Sequence, residues 1–311
     1  MTDAAIPDHA PLCAAPDRAP RAPHAAFPPL SCDTHAHIFG PAARFPYMRE
    51  RIYTPPDSTI VDYRALLAAL GCERAVLVQP SCYGEDNAAM LDALAVTGPG
   101  LRAVAVTDPG IEKAEIERLH RAGVRGLRFN VVDRHDDKNV VPTEMLRDVA
   151  KRIAPFGWHI ELLVNLDEAG DFAPLLGSLG VPVVLGHLGY PKAKAATWTQ
   201  SPAFGELLRL LDGGRCWIKL TGPYRITTES DTPYLDVDAP ARKLIAAAPE
   251  RMIWGSDWPH AMKKIRMAND GELADLLERW APDAAVRKRI LVDNPATLYG
   301  FEPGEKIIPS P

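Results

Sequence analysis

Residues 32–37 read Cys32-Asp33-Thr34-His35-Ala36-His37, a short run that starts apolar and ends on two histidines separated by one residue. In an extended strand, residues i and i+2 point to the same side. His35 and His37 therefore project together, and in the first strand of a parallel barrel they project toward its axis. Two imidazoles that close can bind a metal or share protons around an oxyanion. Alone, the pair is equally compatible with one core and one surface histidine, so its meaning depends on the rest of the chain.

Working outward, further short apolar runs rich in β-branched residues follow: Ala75–Gln79, Leu101–Val106, Gly126–Asn130, His159–Val164, Val181–Gly186, Trp217–Leu220 and Met252–Gly255. Between them lie segments of helical period, among them Val61–Leu70, Asn87–Val96, Ile111–Ala122, Thr143–Pro155, Ala203–Leu211 and Ala239–Ala247. Gly71, Gly123 and Gly157 stand just past the last periodic turn of three of them, where helices end. Alternating strand and helix predicts an α/β fold with a parallel sheet, and strands apolar on both faces fit a sheet covered by helices. An open doubly wound sheet is the alternative to a closed (β/α)8 TIM barrel. The barrel is preferred on two grounds: no Gly-rich phosphate loop follows the first strand, and polar residues sit at the C-terminal ends of many strands, where a barrel assembles its site. Gly271–Tyr299 reads as closing helices.

Residues 1–28 are rich in Ala and Pro and show neither period, which predicts a disordered or loosely draped tail. Residues 29–303 then form a single barrel domain and 304–311 a C-terminal tail. With 311 residues, 47% of them hydrophobic, the chain can bury a large core without staples. A net charge of -5 excludes a global basic field for nucleic acid or an anionic membrane. The cysteines, Cys13, Cys32, Cys72, Cys82 and Cys216, are odd in number, widely spaced and free of any CxxC pair. That excludes a cysteine-rich zinc module and fits a reduced, cytoplasmic compartment. No apolar run reaches the roughly eighteen residues of a membrane span, and the N-terminus has no secretory pattern.

The eighth run continues Gly255-Ser256-Asp257-Trp258-Pro259-His260. Asp257 thus follows an apolar strand directly, although a helix N-cap is the other reading of an Asp so close to Pro259. The sixth ends Gly186-His187-Leu188-Gly189. Convergence of His35, His37, His187 and Asp257 from separate strand ends favours a catalytic role over four independent structural ones. Arg128 ends the fourth strand, Arg134 follows in its loop, and Arg225 lies in Thr221-Gly222-Pro223-Tyr224-Arg225 after the seventh. Guanidinium groups bind carboxylates through paired, charge-assisted hydrogen bonds. Tyr53 and Ser81 are candidate hydroxyl donors to the same ligand. His159 starts its strand, at the wrong end of the barrel, and reads as structural.

These residues resemble the amidohydrolase superfamily, in which His-x-His on the first strand and Asp on the last are the persistent elements. Phe39-Gly40-Pro41, Arg51-Ile52-Tyr53-Thr54-Pro55, Val78–Gly84, Gly126–Asn130, Trp254–His260 and Leu291-Val292-Asp293-Asn294-Pro295 are similar to its 2-pyrone-4,6-dicarboxylate lactonase group. The similarity runs from Cys32 to Tyr299. It implies a lactonase, a carboxylic ester hydrolase of aromatic degradation, that opens a small anionic lactone such as 2-pyrone-4,6-dicarboxylate. It also implies that Arg128, Arg134 and Arg225 hold the carboxylates and that the site works without metal. Two positions depart from the group: Leu163 replaces a tyrosine that contacts substrate, and Tyr190 replaces an arginine.

The expected mechanism has Asp257 taking a proton from water. His35, His37 and His187 donate to the carbonyl oxygen in place of a Lewis acid, and Asp257 favours their protonated forms. The fifth strand offers Leu163 and Asn165 at its end, not a histidine, so His35, His37 and Asp257 are at most three ligands for one zinc or manganese. Three plus water is compatible with catalytic zinc, which leaves a metal-held site as the alternative to the metal-free one. The rival functions are a metal-dependent lactonase for a sugar lactone or sulfomuconolactone, a lactone isomerase or decarboxylase, and a non-catalytic barrel that binds an anionic metabolite.

Overall fold

In the computed structural model, which describes residues 10–133, 140–262 and 267–307, all the expected strands form. They are β1 Cys32–Ala36, β2 Arg74–Val78, β3 Leu101–Ala105, β4 Val124–Asn130, β5 His159–Leu163, β6 Val183–Leu185, β7 Cys216–Leu220 and β8 Met252–Trp254. Each pairs in parallel with the next, in sequence order. Helices cover the outside, and Ile60–Leu70, Ala88–Thr97, Lys113–Ala122, Thr143–Ile153, Pro202–Asp212 and Asp238–Ala247 lie within two residues of the expected spans. A short helix, Ala173–Ser178, follows β5, a span not named among the expected helices. The closing segment is Asp270–Trp280, Ala284–Lys288 and Asn294–Tyr299.

The barrel closes between β1 and β8 just beyond the end of β8. Asp257 N donates to His35 O and His37 N to Trp258 O, each at 2.8 Å. Side chains reinforce the seam. Asp33 accepts from Ser256 Oγ at 2.6 Å and from Ser256 N at 2.9 Å, and Thr34 Oγ1 donates to Trp254 O at 2.7 Å. Because the strand period is two, His159, Glu161 and Leu163 share one face of β5, and Trp217 and Lys219 share one face of β7. The lower barrel is packed by Val76, Val78, Val104, Val184 and Ile253, with Tyr299 and Phe301 plugging the end.

The N-terminal stretch expected as a loose tail is tied to the barrel from residue 10 onward. Cys13 N donates to Thr54 O, and Arg21 pairs with Asp275 at 2.5 Å. Composition gives no sign of these contacts because they are backbone bonds and single long-range ion pairs. The described part of the C-terminal tail, residues 304–307, is likewise anchored, with Ile307 N on Glu73 O at 2.8 Å and Glu305 on Arg102 at 2.6 Å. Among the described residues no helix is long and apolar enough to cross a membrane.

His159 is fully buried against Tyr299, as its place at the start of β5 suggested, and burial pushes its imidazole down to about 4. An unfolded chain takes up that proton near pH 6.5 while the native state refuses it until pH approaches 4, so this group lowers stability as pH falls through that window. Replacing His159 by Leu is expected to reduce the loss between pH 7 and pH 5 by about 2 kcal/mol, checked by urea unfolding at both values. An unchanged slope would contradict this account of His159.

Candidate active site

The strand ends bring His37, His187, Arg128, Arg225 and Asp257 to one cavity of about 160 Å³. His35 and His37 point the same way, with ring centroids 5.0 Å apart; His35 and His187 are 5.3 Å apart. His35 does not line the cavity. It lies under the floor, its Nε2 3.6 Å from Asp257 Oδ1, while His37 Nε2 is 3.8 Å from the same oxygen. Asp257 does not cap a helix. It sits at φ 66°, and His187 at φ 50°, a left-handed conformation that costs a non-glycine residue about 1–2 kcal/mol. In that conformation both residues line the cavity.

Asp257 is held from behind. Its Oδ2 accepts from Tyr224 Oη at 2.5 Å and from Arg225 Nε at 2.8 Å. Tyr224 Oη is also 3.1 Å from His260 Nδ1, whose Nε2 is 2.9 Å from Asp270 Oδ1. All four residues of this chain are buried. Its effect is to commit Oδ2 and leave Oδ1 facing the imidazoles. Oδ1 and His35 Nε2 have no hydrogen-bond partner among the described residues.

The charge states differ from the expectation. Burial holds the imidazoles of His35, His37 and His187 below their ordinary value, and the neighbouring Asp257 does not outweigh it. They are neutral, not protonated, at neutral pH. Burial alone would raise the Asp257 carboxyl, but Arg225 holds it well below the usual carboxylate range. With the imidazoles neutral, that guanidinium is the charge that matters. Neutrality also changes roles. His37 Nδ1 lies 2.7 Å from Val78 O, and a carbonyl only accepts, so His37 carries its proton on Nδ1 and presents a lone pair at Nε2. It accepts in the site and does not donate to a carbonyl oxygen. His187 Nδ1 lies 2.7 Å from Thr221 Oγ1. A hydroxyl donating there leaves His187 Nε2–H as the donor.

Of the ligand-binding candidates, Tyr53, Ser81, Arg128 and Arg225 all line the cavity. Ser81 Oγ is 3.5 Å from Tyr53 Oη. Arg128 Nη1 donates to Gln79 O at 2.6 Å; its Nε is buried without a partner among the described residues. Arg225 is not simply a ligand clamp, since its Nε is spent on Asp257. Arg134 lies outside the described residues. Leu163 and Tyr190, the two departures, form part of the wall, as does Asp133.

The sequence reading missed Glu161 and Lys219, an ion pair at 2.6 Å with Lys219 fully buried. A lysine inside the apolar run of β7 was the available signal. One ligand atom from each of His35, His37 and Asp257 lies within 4.8 Å of the other two, so by spacing these three residues fit a small divalent cation with water completing its shell.

Comparison with known proteins identifies the family. The family model described as amidohydrolase matches residues 32–301. The chain is 38% identical over 291 residues to a 2-pyrone-4,6-dicarboxylate hydrolase of Comamonas testosteroni, covering 90% of this chain and 93% of that one. It is also 38% identical over 293 residues to a 4-sulfomuconolactone hydrolase of Rhizobium radiobacter, covering 93% and 96%. The crystal structure of an Agrobacterium tumefaciens protein in apo form superposes with a TM-score of 0.80 at 31% identity, covering 90% and 99%.

Gly222, at φ +53°, packs against both His187 and Asp257: a Cβ there would stand 2.8 Å from His187 Nδ1 and 3.0 Å from Asp257 Oδ2. Gly157 has a similar φ of +66° with nothing within 4 Å. Gly157→Ala is expected to cost only the backbone term, about 1–2 kcal/mol. Gly222→Ala is expected to cost at least about 1 kcal/mol more, from the crowding a small-to-large change brings. Urea unfolding of the two variants measures the difference, and equal costs would mean that the contact is relieved at no expense.

Proposed function

The chain belongs to the amidohydrolase family and is of its lactone-hydrolase type, and from that premise we propose that it opens the cyclic ester of a small carboxylated lactone such as 2-pyrone-4,6-dicarboxylate. The observation that supports this reading is the meeting, around one small cavity, of a carboxylate with an uncommitted oxygen, neutral imidazoles and two guanidinium groups. A cavity of about 160 Å³ suits a single substituted ring and no polymer. Arg128 and Arg225 take the ring carboxylates by charge-assisted hydrogen bonds, Tyr53 and Ser81 add hydroxyl donors, and Leu163 meets the face of the ring.

Water binds between His37 Nε2 and Asp257 Oδ1, and both accept its protons. As its oxygen attacks the ester carbonyl, Asp257 takes a proton as general base. His187 Nε2–H donates to the carbonyl oxygen while it becomes an oxyanion. Collapse of the tetrahedral intermediate breaks the acyl–oxygen bond, the ring oxygen recovers the proton from Asp257, and the new carboxylic acid ionises. One proton leaves per ring opened. Arg225 makes Asp257 a weak base in the free protein; a substrate carboxylate that draws on the same guanidinium shares its charge and strengthens the base. A sulfonated lactone is the second reading, favoured by equal identity to a sulfomuconolactone hydrolase and by the affinity of guanidinium groups for any oxyanion.

A proton-release screen of carboxylated pyrones, muconolactones, sulfomuconolactones and sugar lactones tests the substrate assignment. No step is assigned to a metal, so turnover is expected to survive prolonged chelation; loss on chelation with recovery on added zinc would favour the metal-held alternative. Asp257→Asn and His187→Ala are each expected to lower kcat by about 100-fold or more with the circular dichroism spectrum unchanged. Near-normal turnover in Asp257→Asn would remove it as the base. Arg128→Lys, which loses the planar fork, is expected to raise KM by about tenfold with kcat little altered; an unchanged KM would remove Arg128 as a substrate contact.

A further inference from the structure

We propose that Lys219 and Glu161 are positioning residues that fix His35 with its proton on Nε2, and that this makes the niche between His35, His37 and Asp257 a seat for water and not for a cation. The inference rests on the lactone-hydrolysis reading only for what that water does; the hydrogen-bond argument stands without it.

Lys219 and Glu161 reach the floor of the site from β7 and β5. Lys219 Nζ lies within hydrogen-bonding reach of three atoms: Glu161 Oε2 at 2.6 Å, Thr34 O at 2.8 Å and His35 Nδ1 at 3.1 Å. An ammonium has three hydrogens and no lone pair, so this set uses each hydrogen once. His35 Nδ1 then accepts, and the proton of a neutral imidazole is left on Nε2. His37 is locked the opposite way by Val78 O, with its lone pair on Nε2. Asp257 Oδ2 is occupied by Tyr224 and Arg225, which leaves the lone pairs of Oδ1. The niche therefore offers one N–H donor and two acceptors, the complement of a water molecule that accepts once and donates twice.

A cation asks for something else. It needs lone pairs from all three groups, and spacing alone supplies them. To give one, His35 must move its proton to Nδ1 and donate it to Glu161 Oε1, now 3.4 Å away. Lys219 must then surrender the contact it makes with Nδ1. The spacing fits a metal and the hydrogen bonding does not. The partner on the far nitrogen sets which nitrogen of an imidazole is available, and here that partner is a buried ammonium.

The test uses protein labelled with nitrogen-15 in histidine, with long-range proton–nitrogen correlation spectra at neutral pH and no substrate. His35 is assigned by its absence from the His35→Asn spectrum and His37 from His37→Asn. The expected result is opposite tautomers, Nε2–H for His35 and Nδ1–H for His37. A proton on Nδ1 of His35 would overturn the proposal while leaving lactone hydrolysis open. Removing one charge alone would leave the other buried and unpaired, so the variant is the double change Lys219→Met with Glu161→Leu. It is expected to lose the single tautomer at His35, to bind zinc at least about tenfold more tightly than the unaltered protein by calorimetric titration, and to lose about tenfold in kcat with KM within a few-fold. An unchanged His35 tautomer or unchanged zinc affinity in the double variant, or stoichiometric tight zinc binding by the unaltered protein, would each overturn it.

Discussion

The backbone hydrogen bond from Asp257 N to His35 O, one of two across the seam between the first and last strands, helps to close the barrel and build the site in the same stroke. The residues it joins lie far apart along the chain and carry the carboxylate and the imidazoles that must meet. Asp33 doubles the closure by gripping Ser256 at backbone and side chain together. With the seam shut, the left-handed backbone at Asp257 is held in place by its surroundings, and the carboxylate lines the cavity with Oδ1 toward the imidazoles. A barrel open along this edge would keep most of its core and lose its chemistry.

Two buried ion pairs then set the electrostatics. Arg225 compensates Asp257, and Lys219 compensates Glu161. Each pair is costly to desolvate, and its return is arrangement more than stability. With those charges compensated, burial keeps the imidazoles neutral, and neutral imidazoles have sides: each presents either an N–H or a lone pair according to what holds its other nitrogen. Val78 O, Thr221 and Lys219 do that holding. The Tyr224–His260–Asp270 chain does the corresponding job for the carboxylate, committing one oxygen so that the other faces the reaction.

The strands and most of the site were legible because they depend on local period. Two histidines at i and i+2 must share a face, and an aspartate after an apolar run must lie at a strand end. Their roles were less legible because they depend on burial, which no local pattern reports. The imidazoles read as donors protonated by Asp257, yet desolvation keeps them neutral and the carbonyl of Val78 turns His37 into an acceptor. Arg225 read as a substrate clamp because its partner comes from another strand end. Tyr224, His260 and Asp270 converge through loops and a left-handed turn, and no spacing rule connects them. Lys219 stood in plain sight within an apolar run, but only the cross-barrel register makes Glu161 its partner. The N-terminal stretch carries no period, and its ties to the barrel are single contacts that composition does not encode.

The central claim is that water, activated at Asp257, becomes part of the product. Turnover of the preferred lactone in oxygen-18-labelled water tests it most directly by mass spectrometry of the product. The account expects one labelled oxygen in the newly formed carboxylate for each ring opened. A product of unchanged mass, isomeric with the substrate and free of label, would contradict it.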